Sequence, residues 1–192
     1  MTRSPEFSNA KDELVLPGLS AFYNRLAQPV GWAVFRAVLG AMLMVEGLPK
    51  IMDPLAQTGF VESLGFWPGA FWSPLLAGLQ FIGGGMLALG LFTRPVALAN
   101  AVMLLITLWF HMANPYAHAI LTDAGIAALA TTPDIFTTEA QGMLGDGGAR
   151  FMHMAQTKAE FNSLFWAGGV ALYAAFGGGY FSIDRWVFKK QV

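Results

Sequence analysis

FWSPLLAGLQFIGGGMLALGLF, residues 71–92, and PVALANAVMLLITLWFHM, residues 95–112, are two apolar runs joined at the short turn Thr93-Arg94-Pro95. Neither run holds a charged side chain apart from the arginine at the turn. About 20 helical residues span the ~30 Å hydrocarbon core of a bilayer. Two such lengths in succession read as a membrane hairpin, so lipid is the solvent against which the rest of the chain is read. The composition agrees. The 192 residues are 55% hydrophobic and only 12% charged, with a mean hydropathy of +0.51, against about 25% charged in ordinary soluble domains.

Two further spans flank the hairpin. Val30–Leu48 ends at Pro49 and contains Arg36 and Glu46, and Asn162–Phe181 stops at Ser182 and Asp184. Ahead of them, Leu19, Phe22, Tyr23 and Leu26 recur at helical spacing within Gly18–Gln28. That segment is too short to span and reads as an interfacial helix. The expected fold is therefore an all-α membrane protein. It has an N-terminal arm over 1–29 and a four-transmembrane-helix bundle over 30–192. The spans fall near 30–48, 71–92, 95–112 and 162–181, with a long loop over 114–161 between helices 3 and 4. A short helix over Ala119–Ala130 and a glycine-rich turn over Gly142–Gly148 are expected within that loop. All six tryptophans, Trp32, Trp67, Trp72, Trp109, Trp166 and Trp186, fall near span ends, as an aromatic belt would place them.

Cation bookkeeping gives an orientation. Arg3, Lys11, Arg25, Arg94, Arg185, Lys189 and Lys190 share one side of a four-span chain, and Lys50, Arg150 and Lys158 the other. The excess predicts both termini in the cytoplasm. Residues 1–13 are polar with no apolar core, which does not fit a signal peptide.

Several chemistries are excluded or disfavoured. The net charge of −1 and the lack of a basic stripe argue against nucleic acid. The chain has no cysteine, which rules out disulfides, cysteine-ligated iron–sulfur clusters and covalent haem attachment within it. Of three histidines, only His111 approaches a span, so paired-histidine haem is not expected. A metal site from His118 and His153 with Asp123 or Glu160 is also disfavoured, and no metal is expected.

Polar and small residues inside the spans are the remaining candidates. At about 100° per residue, Arg36, Gly40, Gly47 and Lys50 lie within about 80° on one stripe of the first span. Glycine stripes mark close helix packing. Arg36 lies roughly 9 Å inside the span by the 1.5 Å rise per residue. It is expected to face the bundle or snorkel to headgroups, with Gln80, on the same face as Gly84, as the partner to test. Glu46 and Lys50 sit at the spacing of a surface ion pair. Ala167, Ala171, Ala175 and Gly179 form a ladder of small residues on the fourth span. It reads as a packing surface, within the bundle or against another subunit. The run Gly83-Gly84-Gly85 lacks the strand, lysine and serine of a phosphate loop.

Three motifs together resemble the DoxX family: Arg36-x3-Gly40-x6-Gly47-x2-Lys50, then Gly83-Gly84-x5-Gly90-Leu91-Phe92-Thr93-Arg94, then Gly177-Gly178-Gly179-x2-Ser182-Ile183-Asp184. The resemblance implies a four-helix bacterial inner-membrane protein. Some relatives are described as subunits of thiosulfate:quinone oxidoreductase or of other membrane oxidoreductase complexes. It therefore implies a membrane subunit of a redox- or quinone-linked complex, partnered by lipids and other membrane subunits and holding no redox centre of its own. Arg36, Gln80, Trp109 and His111 are the residues expected to shape a quinone or lipid pocket. Gly40, Gly47, Lys50, Gly84, Arg94, Ala171, Ala175, Gly179, Ser182 and Asp184 carry the structural motifs. No catalytic residue is indicated. The chain departs from the family at Gln80, where glutamate is frequent, and at Glu46, where histidine is common. The alternatives are a purely structural assembly subunit and, with less support, a small transporter.

Overall fold

The computed structural model describes residues 10–12 and 14–189. Residues 1–9 and 13 of the N-terminal arm, with Arg3 and Lys190 of the cation tally and both termini, lie outside the described residues. The described chain is helical, with no strand among the described residues. It divides into two compact units, Met1–Ala101 with Gly168–Val192, and Val102–Ala167.

The first unit opens with a helical stretch that never breaks. A 3-10 turn at Pro17–Leu19 leads into one α-turn, α1 (Ser20–Phe22). A π-turn at Tyr23–Ala27 then runs directly into α2 (Gln28–Met52). The segment expected as a separate interfacial helix is thus the start of one 36-residue helix, Pro17–Met52. Pro29 falls in the first turn of α2, where the missing N–H and ring are accommodated by the wider π-turn before it. Leu19, Phe22 and Leu26 face outward while Ser20 is buried. Arg25 and Gln28 of the same stretch are exposed as well.

A short helix, α3 (Thr58–Ser63), leads to α4 (Gly69–Leu89). The Glu62 carboxylate accepts from the Gly69 backbone N–H at 2.9 Å, satisfying one orphan donor at the start of α4. Gly90 closes α4 in the left-handed region at φ 74°, with Leu91 N–H returning to the Met86 carbonyl. α5 (Thr93–Ala113) starts at once, with Pro95 in its first turn.

α2 and α4 run antiparallel and very close. A Cβ on Gly40 would overlap the Gly84 carbonyl oxygen, and one on Gly47 would lie 2.8 Å from Phe81 N. Lys50 bonds Gln80 farther along, and Arg36 reaches the Ala88 carbonyl at the opposite end. The stripe Arg36, Gly40, Gly47 and Lys50 is therefore the face that α2 turns to α4. Leu39, Leu43, Ala77, Leu87, Ala97, Val170 and Tyr173 are buried in this unit.

The outside is apolar and the inside holds the polar groups. Val34, Val38 and Val45 on α2, Leu75 and Ile82 on α4, and Leu98 on α5 are exposed, while Arg36, Gln80, Asn100 and Asp184 are buried. That inversion is the arrangement lipid selects.

The second unit holds the remainder of α5, then α6 (Asp123–Thr131), α7 (Thr138–Leu144) and the first part of α8 (Ala149–Phe176). Thr122 and Thr137 cap α6 and α7 by accepting from Gly125 N and Ala140 N. The Gly147 carbonyl accepts from both Ile120 N and Leu121 N, which ties the glycine-rich turn to the start of the segment. The fourth long helix begins at Ala149 rather than Asn162 and ends at Phe176. Much of the expected 114–161 loop is therefore helical, and the stretch without a long helix shrinks to 114–148. Asp146 allows the early start by accepting from Gly148 N and Arg150 N at 3.0 and 3.1 Å. A last short helix, α9 (Ile183–Val187), belongs to the first unit.

Pro17–Met52, α4 and α5 are each long and apolar enough to cross a membrane. α8 has 28 residues and the length to cross. Arg150, Lys158, Glu160 and Asn162 in its first half make it less apolar than the other three.

Candidate functional site

The densest polar cluster lies in the first unit, where α2 begins and α4 ends. Arg36, 3% exposed, is the centre. Its guanidinium donates to three backbone carbonyls: Ala88 at 3.4 Å, Phe181 at 2.7 Å, and Gly178. The planar five-donor fork of arginine suits three carbonyls on two separate stretches of backbone, whereas a lysine ammonium is a compact point charge without that fork. The approach depends on glycine. A Cβ on Gly90 would lie 2.7 Å from the guanidinium carbon, and one on Gly178 would lie 3.1 Å from Nη1.

Asp184, 1% exposed, supplies the balancing charge. Its carboxylate accepts from Phe92 N at 2.7 Å, Thr93 N at 2.8 Å and the Thr93 hydroxyl at 2.7 Å. These are the first donors of α5, so a distant carboxylate caps that helix and meets its positive end. The Asp184 N–H donates to the Gly90 carbonyl at 2.9 Å. The Ser182 hydroxyl donates to the Gly179 carbonyl and accepts from Arg185 N, capping α9. Trp32 lies against Gly179 and donates to the Gly177 carbonyl at 2.9 Å, while the Tyr173 hydroxyl donates to the Trp32 carbonyl at 2.6 Å. The Gly177–Asp184 motif is thus a clasp that closes the chain end onto α2, α4 and α5. Its charged groups are saturated by internal bonds.

Gln80 sits elsewhere on the α2–α4 seam. It takes Lys50 as its partner, with Nζ donating to Oε1 at 2.6 Å. Arg36 and Gln80 are not brought together. They hold positions about two turns apart along α4, a rise of roughly 12 Å between Gln80 and the Arg36 acceptor Ala88.

Trp109 and His111 belong to the second unit. Trp109 is 58% exposed and faces outward. His111 lies in a polar cluster. The Gln156 side-chain amide donates to the His111 carbonyl at 2.7 Å and to Glu160 Oε1 at 2.6 Å, and its oxygen accepts from Tyr116 N at 3.0 Å. The His111 ring stands edge-on to Tyr116 with centroids 6.0 Å apart. Its Nδ1 is buried with no hydrogen-bond partner among the described residues. Among those residues, no group of three or more histidine, aspartate or glutamate side chains gathers as a metal site.

Two residues were missed by sequence reading. Asn100 is fully buried, donates to the Leu79 and Val96 carbonyls, and leaves Oδ1 without a partner. Thr93 was read as part of a turn and of the second family motif, with no contact assigned to it. An asparagine in an apolar run was the available signal for the first. The motif that includes Thr93 does not reveal its partner, which is 91 residues away.

Helices with apolar exteriors and buried, mutually bonded polar side chains define an all-α membrane protein. Residues 31–113, which include most of α2 and all of α3, α4 and α5, match the family model described as DoxX. Over that segment the chain is similar to the DoxX family of membrane proteins. No curated protein and no solved structure matched the chain.

Proposed function

We propose that this chain is a membrane subunit of a larger, redox- or quinone-linked complex, holding no redox centre of its own and contributing a quinone contact at His111. The observation that carries this reading is the unpartnered, buried Nδ1 of His111 beside Tyr116. Protonated, that nitrogen donates to a quinone carbonyl. Unprotonated, it accepts from a quinol hydroxyl. Gln156 bonds the His111 backbone and so helps fix the position of the ring. The Arg36 guanidinium and the Gln80 side-chain oxygen are engaged in the packing of α2, so they serve assembly of the fold in this reading. The absence of cysteine supports a subunit that relies on a partner for electron transfer. We place it in a bacterial cytoplasmic membrane on the family resemblance, with both termini inside on the cation asymmetry of the sequence.

Native mass spectrometry of the protein, extracted gently from its own membrane, tests this. The expected result is a stoichiometric complex with a redox enzyme and a retained quinone that the His111→Leu variant loses while the complex stays intact. A complex in which quinone retention is indifferent to that substitution removes the His111 contact and leaves an assembly subunit. A lone monomer or homodimer overturns the subunit reading.

A further inference from the structure

A cleft of ≈ 430 Å³ opens in the first unit, between the start of α5 and the end of α8. Arg94, Pro95, Leu98 and Ala101 line one wall, and Ala171 and Ala175 of the small-residue ladder line the other. The volume falls within the ~300–1,000 Å³ of ordinary ligand clefts. Ala171 and Ala175 are exposed, so this part of the ladder packs against nothing within the unit. In a bilayer an apolar furrow does not hold water, and leaving it empty forfeits the dispersion contacts of its walls.

The one charged lining residue decides among occupants. Arg94 stands in the first turn of α5, at the end of a span, where helix meets headgroup. It is exposed, and its guanidinium has no hydrogen bond or ion pair among the described residues. Other cations come to this end. The Asp184 N–H bonds the Gly90 carbonyl, and Phe188 packs on Phe92 with ring centroids 5.5 Å apart. These contacts bring the backbone that carries Arg185 and Lys189 to the same α4–α5 turn, with the Arg185 guanidinium 4.8 Å from the centroid of the Tyr180 ring. The acid nearest to them, Asp184, is buried and already bonded. The cleft is therefore a hydrocarbon furrow with an unneutralised cation at its interfacial mouth. We propose that it holds one acyl chain of an anionic glycerophospholipid whose phosphate rests on the Arg94 guanidinium. A neutral quinone head makes no use of that charge, and a transmembrane helix seated on the alanines would need an acidic residue to meet it. The proposal does not depend on the His111 reading, which concerns the other unit.

The test uses the full chain, delipidated in mild detergent and titrated with phosphatidylglycerol or with phosphatidylcholine of the same acyl chains, and read by native mass spectrometry. The expected result is one retained phosphatidylglycerol, favoured over phosphatidylcholine about fivefold, the scale of one cation near an anionic surface. Arg94→Gln should abolish the preference and leave the weaker phosphatidylcholine adduct. Ala175→Leu should remove both adducts by filling the furrow. Both positions are exposed, and unchanged helical circular dichroism checks the fold. If Ala175→Leu does not fold, loss of headgroup preference in Arg94→Gln alone decides. No headgroup preference in the parent protein, or undiminished phosphatidylglycerol retention in both variants, overturns the proposal. So does an Ala175→Leu variant that turns a dimer into a monomer without changing the lipid count, since a second copy would then fill the cleft.

Discussion

The carboxylate of Asp184 holds Thr93 twice, accepting from its backbone N–H at 2.8 Å and from its hydroxyl at 2.7 Å. The bond reaches from the chain's last helix to the first turn of α5, where helix N–H groups have no partner of their own. Thr93 is fully buried, so its N–H cannot fall back on water. The clasp therefore ties completion of α5 to docking of the chain end. Asp184→Asn keeps one carbonyl oxygen but turns a second acceptor into a donor facing donors. The expected loss is about 2–3 kcal/mol, the scale of a buried charged hydrogen bond together with an unsatisfied group. It should be seen as a lower thermal midpoint in detergent. Thr93→Val removes only the hydroxyl bond and should cost about 1 kcal/mol. Equal midpoints for Asp184→Asn and the parent would show that the clasp does not hold α5.

Close approach of α2 and α4 makes a second prediction. A Cβ on Gly40 meets backbone of the facing helix, which cannot rotate away as a side-chain end could. Gly40→Ala should force the two helices apart and cost about 1–3 kcal/mol, as overpacking does elsewhere. Gly78, on the same α4, has nothing within 4 Å of its Cβ position. Gly78→Ala should be neutral or stabilising by up to about 1 kcal/mol, because alanine loses less backbone freedom in a helix. The pair is compared by thermal unfolding in detergent. A Gly78→Ala loss as large as that of Gly40→Ala would show that helix–helix distance is not the cause.

The membrane hairpin was legible because its signal is local: two uncharged runs and a turn with Thr93, Arg94 and Pro95. The stripe of Arg36, Gly40, Gly47 and Lys50 was legible too, since helical periodicity alone places the four together. What each of them touches was not. Gln80 meets Lys50 rather than Arg36, because antiparallel register along the seam sets the pairing and a single sequence does not encode that register. The long reach of α8 was hidden by its composition. Arg150, Lys158 and Glu160 read as loop until Asp146 is seen to cap the helix. Trp32 read as an interfacial belt residue, yet its ring lies on Gly179 and its N–H bonds Gly177, contacts across the whole chain. Of the four residues expected to form a pocket, only His111 keeps a buried polar atom without a partner among the described residues.

Acid should act on the start of α8. The backbone N–H of Arg150, then that of Gly148, holds the Asp146 carboxyl below its ordinary value of 3.8, against a smaller opposing effect of desolvation. A carboxyl with a lowered folded value stabilises above its unfolded pKa and loses that contribution as pH falls through the folded one. The expected dependence is therefore flat from pH 7 down to about 4 and declining below it. Circular dichroism melts across pH 3–7 measure it. Asp146→Asn should lower stability at neutral pH and flatten the acid limb relative to the parent. A parent and variant that run parallel through the whole range would sink the capping role.

Lys50 and Gln80 offer the sharpest test of how the α2–α4 seam treats charge. Lys50 is half-buried, and Gln80 gives it one neutral acceptor at 2.6 Å. Gln80→Leu removes that acceptor without changing the helix, leaving an ammonium with its best partner gone. The expected cost is about 1–3 kcal/mol, the range for a partly buried polar group that loses its bond. Gln80→Glu keeps the length and puts a carboxylate opposite the ammonium. Charge-assisted hydrogen bonds are shorter and about twice as strong as neutral ones, and removing a second charge from water partly offsets that gain. The Glu variant should therefore melt at or above the parent and the Leu variant below it, with the gap between them closing when Lys50→Met is introduced in both. A gap that persists in the Lys50→Met background would mean that Gln80 acts on the seam through packing alone.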